Sequence, residues 1–195
     1  MDLALSLIKA AKEERATVLN LEKCSLTALP DELFELTWLE ALNLSFVYSE
    51  WDETGKELIE IISPNTGEPN KITAFPAAIS KLQSLKVLNT RGNPISDLSP
   101  LSTLTSLTQL HMSNCLVEDI SPLSKLTELQ SLHLGGCKIN DLSPLENLKA
   151  LKSIMLWENE ITDISALGNK PQLWELDLAG NNIKDISALA TLPAL

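Results

Sequence analysis

Aromatic residues are scarce in this 195-residue sequence: one tyrosine, three phenylalanines and four tryptophans make up 4 % of it. Valine is scarcer, with only four, and isoleucine reaches 14, so the β-branched stock that a sheet-centred enzyme core normally draws on is missing. Positive charge is also short. The 15 Lys and Arg face 26 Asp and Glu, leaving a net charge of −11, the wrong sign for phosphate backbones or anionic lipid. Nucleic acid and membrane surfaces are therefore excluded as partners. No secretory signal is legible at the start, where Asp2 replaces the basic residues such a signal needs and Lys9 ends a short apolar run. The longest stretch without a formal charge, residues 98–117, is broken by Ser, Thr, Pro, Gln and Asn and is no membrane span. Three cysteines, an odd number without an export signal, imply reduced thiols and a cytoplasmic protein.

Catalytic signatures are missing as well. Thr54-Gly55-Lys56-Glu57 has the Gly-Lys pair of a phosphate loop but neither its earlier glycine nor the hydroxyl residue after the lysine. There is no Gly-x-Ser-x-Gly, no Cys-x-x-Cys and no His-Glu-x-x-His, and Gly135-Gly136 lacks a following helix-opening glycine. The expectation is a chain that is not an enzyme, with no cofactor, no metal and no small-molecule substrate, although a larger parent could carry a catalytic domain such as a GTPase.

What the sequence has is leucine, 39 residues or one in five, and a repeat. Leu107, Leu110, Met112, Cys115, Val117, Ile120, Leu123 and Leu126 recur 22 residues later as Leu129, Leu132, Leu134, Cys137, Ile139, Leu142, Leu145 and Leu148. The shift continues through Leu151, Ile154, Leu156, Asn159, Ile161 and through Leu173, Leu176, Leu178, Asn181, Ile183, and backwards through Leu85, Leu88, Thr90, Asn93, Ile95. Two earlier units read Ala16, Leu19, Leu21, Cys24, Leu26 and Leu39, Leu42, Leu44, Val47. The alternation in Leu110-His111-Met112 is that of a strand with its apolar side facing a stack. Asn93, Asn159 and Asn181 sit where a side-chain amide can satisfy turn backbone, and Cys24, Cys115 and Cys137 share that position as buried weak donors. Ser-Pro at 99-100, 121-122 and 143-144 reads as an N-cap followed by proline at the first helical position.

This pattern resembles the leucine-rich repeat family, L-x-x-L-x-L-x-x-N/C-x-L, from Ala16 to the end of the sequence. Asp119-Ile120-Ser121-Pro122-Leu123 and its equivalents are similar to the short 22-residue subclass of bacterial internalins and of a phosphatase regulatory subunit. The opening of the chain also looks like the repeat domain of bacterial Roco-type proteins. The resemblance implies an α/β solenoid, a curved right-handed horseshoe with a parallel sheet on its concave face and short helical turns or 3-10 segments on its convex face. Residues 1–15 have helical spacing and are expected to cap the first repeat. Seven repeats follow: 16–38, 39–84 with an insertion at 48–71, 85–106, 107–128, 129–150, 151–172 and 173–194. Leu195 stands where an eighth would begin, so the domain is expected to be truncated.

Three outward rows of side chains follow from this register. One reads Asn20, Asn43, Asn89, His111, His133, Met155, Asp177, and a second, two residues later, reads Glu22, Ser45, Arg91, Ser113, Gly135, Trp157, Ala179. The third, two residues earlier, reads Val18, Ala41, Val87, Gln109, Ser131, Ser153, Glu175. These describe a contact surface, and the expected partner-binding residues are Trp157, Met155, His133, His111, Arg91, Glu158 and Asp177. Trp157 is expected to project as an anchor, or else to lie flat over Met155. The acidic insertion, with Trp51 and Tyr48, is a secondary candidate binding site, or a solvated loop that packs Trp51 and Ile61 on the solenoid edge. The expected function is protein-protein interaction with a partner protein or with another domain of the same polypeptide. A spacer or self-association role is one alternative. A metal-dependent enzyme built on His111 and His133 is another, and it lacks a third ligand in the row nearer than Asp177.

Overall fold

The computed structural model describes residues 2–45, 48–51, 58–61 and 64–195, the two segments 48–51 and 58–61 through their backbone. A helix, α1 (Asp2–Glu14), precedes strands β1 (Val18–Asn20), β2 (Ala41–Asn43), β3 (Tyr48–Trp51), β4 (Leu58–Ile61), β5 (Val87–Asn89), β6 (Gln109–His111), β7 (Ser131–His133), β8 (Ser153–Met155) and β9 (Glu175–Asp177). Seven of them form one parallel sheet in the order β1-β2-β5-β6-β7-β8-β9. Its register is the 22-residue shift itself: Leu88 pairs with Leu110, Leu110 with Leu132 and Leu132 with Ile154. Each turn of chain thus returns a residue to the side of its equivalent, and the central residue of each strand in this sheet, leucine in all but β8 where it is Ile154, packs into or against a continuous core.

Helix α1 covers the first repeat with Ala4, Ile8 and Ala11, all buried, while Leu3 stays exposed. Two alanines flanking one isoleucine let the helix approach more closely than a leucine face would. Arg15 ends the helix in the left-handed region (φ 51°), with Ala16 N–H donating to the Ala11 carbonyl at 2.9 Å. Lys12 pairs with Glu35, and the Trp38 indole N–H donates to the Ala16 carbonyl at 3.1 Å beneath the Arg15 guanidinium, so the cap is fastened at both edges.

On the opposite side each repeat carries a short 3-10 segment, such as Ser99–Leu101, Ser121–Lys125 and Ser143–Leu145. The Ser-Pro serines are not the caps expected of them. Ser121 is already the first 3-10 residue, and Asp119 does the capping: its Oδ1 accepts from Ser121 N–H at 2.8 Å and its Oδ2 from Ser121 Oγ at 3.0 Å. Asp97, Asp141, Asp163 and Asp185 accept from the backbone N–H two residues on in the same way. A carboxylate two residues upstream reaches an N–H that the serine's own short side chain cannot.

The insertion holds β3 and β4 paired antiparallel, Tyr48 opposite Ile61 and Trp51 opposite Leu58. The side chains of Tyr48, Trp51 and Ile61 lie outside the described residues. The amide that serves the turn of the second repeat is Asn70, so the inserted residues end before it and not at 71; Val47, expected at that turn, lies outside the described residues. Asn70 Oδ1 accepts from the N–H groups of Cys24 and Leu26, and its Nδ2 donates to the carbonyls of Leu21 (2.7 Å) and Leu44 (3.0 Å). One asparagine side chain supplies both the acceptor and the two donors that these backbone groups need.

Candidate functional site

The concave face is built by the outward residues of β1, β2 and β5–β9, and the predicted rows are adjacent in the structure. Asn20, Asn43, Asn89, His111, His133, Met155 and Asp177 lie opposite one another in sequence along the sheet. Asn20, Asn43, Asn89 and Asp177 each turn their Oδ1 back onto the N–H two residues later, at 2.9, 3.1, 3.2 and 3.0 Å, which ends the strand there.

His111 and His133 stack at 4.1 Å between ring centroids and 6° between planes, as neighbouring strands about 4.8 Å apart dictate. Their Nε2 atoms are committed. Ser131 Oγ lies 3.1 Å from both, Ser153 Oγ lies 3.3 Å from that of His133, and Ser153 Oγ donates to Glu175 Oε2 at 2.5 Å. With Ser153 donating to the carboxylate, His133 Nε2 is a donor to the serines, and Ser131 then donates to His111 Nε2. The result is a hydrogen-bonded chain across four strands that runs outward from His133 to His111 on one side and to Glu175 on the other. Burial pushes His111 down to about 3, with the second ring adding to the effect, and burial also lowers His133, so both imidazoles are neutral at neutral pH. Among the described residues no group of three or more His, Cys, Asp or Glu is placed to hold a metal ion.

Trp157 is half-buried, and its ring lies against the glycines of the preceding repeat. A Cβ at Gly135 would overlap the indole, and one at Gly136 would stand 3.1 Å from its Cζ3, so the half-buried ring uses the bare backbone of the preceding repeat as its bed. The residue after this row takes a left-handed φ in repeat after repeat: Gly92 (79°), Asn114 (58°), Gly136 (67°), Glu158 (49°) and Gly180 (73°). Glycine meets that demand without strain, and Glu158 meets it at a cost.

Charge is segregated along the face. Arg91 is half-buried and has no ion pair among the described residues; its proximity helps keep His133 neutral. Glu158, Glu175 and Asp177 gather at β8 and β9. At the other end Glu22 is 1 % exposed, and its carboxylate is spent on Asn20, Asn43 (2.7 Å) and Ser45 (2.9 Å).

A family model described as leucine-rich repeats in two copies matches residues 83–125, 105–147 and 127–169. No curated protein sequence matches. Among solved structures the chain is similar to internalin C2 of Listeria monocytogenes, with 31 % identity, a TM-score of 0.71, and coverage of 98 % of this chain and 89 % of that one. The chain belongs to the leucine-rich-repeat family, in its internalin-like form. A second Listeria monocytogenes internalin, InlF, matches with 30 % identity and a TM-score of 0.77 over 97 % of this chain, and a leucine-rich-repeat protein of Leptospira interrogans with 26 % and 0.68 over 96 %. The chain spans about half the length of these two, 48 % and 50 %.

Within this internalin-like frame, two features of the sheet face were not read from the sequence. Trp174, 60 % exposed immediately before β9, is the most exposed described aromatic beside the acidic end of the face. It stands in a position occupied by Lys86, Thr108, Gln130 and Lys152 in earlier repeats, and that break in polarity was the available signal. The second is the serine and histidine chain, whose members are two residues apart in one strand and 22 apart between strands.

Proposed function

We propose that this chain binds a protein, or another domain of its own polypeptide, through the concave face, with Met155, Trp157, Arg91, Glu158 and Asp177 in contact and the histidine stack as a rigid floor. Leucine-rich repeats are in general non-enzymatic protein-interaction modules, and the coarser reading needs no more than that. What supports the concave face in particular is the hydrogen-bonded chain from His111 to Glu175. It holds half-buried and buried polar side chains in one arrangement before any partner arrives, which lowers the entropy lost on binding.

A partner isolated with the wild-type chain should be lost from a Met155→Glu variant and retained by Lys125→Glu, whose change lies on the convex side. Loss with Lys125→Glu and retention with Met155→Glu would overturn the reading.

A further inference from the structure

The separation of charge on the concave face specifies its ligand more closely than the face as a whole does. Arg91 is the only base in the three rows and is unpaired among the described residues, whereas Glu158, Glu175 and Asp177 lie three and four strands away. Between them the surface is neutral: the histidine stack, Ser131, Ser153, Met155 and the Trp157 indole. Glu22, at the far end of the sheet, is out of a ligand's reach because its carboxylate is buried and its oxygens are taken by Asn20, Asn43 and Ser45.

We infer that the concave face takes an extended peptide of dipolar character, with an acidic side chain at Arg91, an apolar one on Met155 and Trp157, and Lys or Arg at Asp177 and Glu158. The inference rests on the concave-face reading and deepens it. Its spacing follows from strand geometry. Strands stand about 4.8 Å apart, so Arg91 lies about 14 Å from Trp157 and about 19 Å from β9, which an extended peptide rising about 3.3 Å per residue spans in about four and six residues. Both intervals are even, so all three side chains project from the same face of the peptide. A helix, at 1.5 Å per residue, would need about nine and thirteen residues and would not keep the three in line with the rows.

The test is selection of a displayed library of random twelve-residue peptides against the intact chain, followed by affinity measurements on a synthetic consensus peptide. The expected consensus has an acid, an apolar residue four positions on and a base two further. Arg91→Glu should weaken the consensus peptide at least tenfold, and replacing the peptide's acid with Lys should restore binding. Glu158→Lys and Asp177→Lys should act on the peptide's base in the same way. Arg91→Gln replaces Arg91→Glu if the latter fails to melt cooperatively. If Met155→Glu and Asp177→Lys abolish binding while both Arg91 variants bind as wild type, the dipolar ligand is wrong and the concave site survives. Peptides indifferent to every concave substitution remove both, and a selection that enriches no sequence overturns the inference.

Discussion

Thr90 occupies a column otherwise filled by Leu21, Leu44, Met112, Leu134, Leu156 and Leu178, and its buried hydroxyl has no hydrogen-bond partner among the described residues. Thr90→Val keeps the shape and deletes the orphan group, so it should raise stability in urea unfolding by roughly 1 kcal/mol. Lys170 is the charged counterpart, standing where Leu126 and Leu148 stand, fully buried, with Nζ 2.8 Å from the Leu145 carbonyl. Burial lowers it from 10.5 to about 8, with Lys149 adding to the effect and Glu146 opposing it. Between those values the unfolded chain holds the proton and the folded one does not, so Lys170 contributes stability that grows as pH rises from about 8 to 10.5, while the thiols of Cys24, Cys115 and Cys137, raised from 9.0 by burial, pull the other way above about 9; the stability difference between wild type and Lys170→Leu across that window isolates the lysine and should change in its favour as pH rises. His111 titrates by the same logic lower down. As pH falls from 6.5 towards about 3 the unfolded state takes up its proton first and stability is lost, with His133, Arg91 and Glu175 as the charged or titratable neighbours. A denaturant series on His111→Gln, flatter across that window than wild type, checks it. At the turn position Cys115 Sγ donates only to the Thr90 carbonyl, at 3.6 Å, whereas Asn159 serves one N–H and at least two carbonyls, so Cys115→Asn should hold or raise the melting temperature.

At the scale of the repeat unit, Leu132 has no exposed surface and pairs with Leu110 and Ile154 in the sheet, so Leu132→Ala should cost on the order of 2–5 kcal/mol. A loss below half a kcal/mol in equilibrium unfolding would contradict the register. That register was legible because strand pairing between identical coils leaves one shift that buries every leucine; a slip of one residue would turn Leu110 and Leu132 outward. The caps were less legible. Aspartate two residues before serine and serine before proline are both capping signals, and only backbone direction shows that the carboxylate reaches the free N–H. Asn70 was hidden because 23 inserted residues separate it from Leu44, and no local pattern says where a solenoid resumes. The histidine stack could be read from a spacing of 22, but the bed of Trp157 could not, since glycine offers a surface only once the neighbouring coil is in place.

Across the whole molecule each repeat touches its neighbours alone, so stability is a sum along one axis. In the last repeat Leu176, Leu178, Ile183 and Leu189 are only partly buried, whereas their equivalents from β5 to β8 are covered on both sides. In a polypeptide of residues 1–195, amide exchange should therefore be slower at β6 to β8 than at β9, and equal protection of these strands in that polypeptide would argue against this arrangement. Repeats of one length and one register invite the idea of interchangeable modules. The joint between the fifth and sixth units forbids it. Ser113 and Asn114 hold the places that Gly135 and Gly136 hold one coil later, so a copy of residues 107–128 inserted at 129–150 would drive a serine side chain into the indole of Trp157. The order of coils is thus fixed at that point by steric fit, and a rearranged array would become tolerable there only after Trp157 had been exchanged for a small residue.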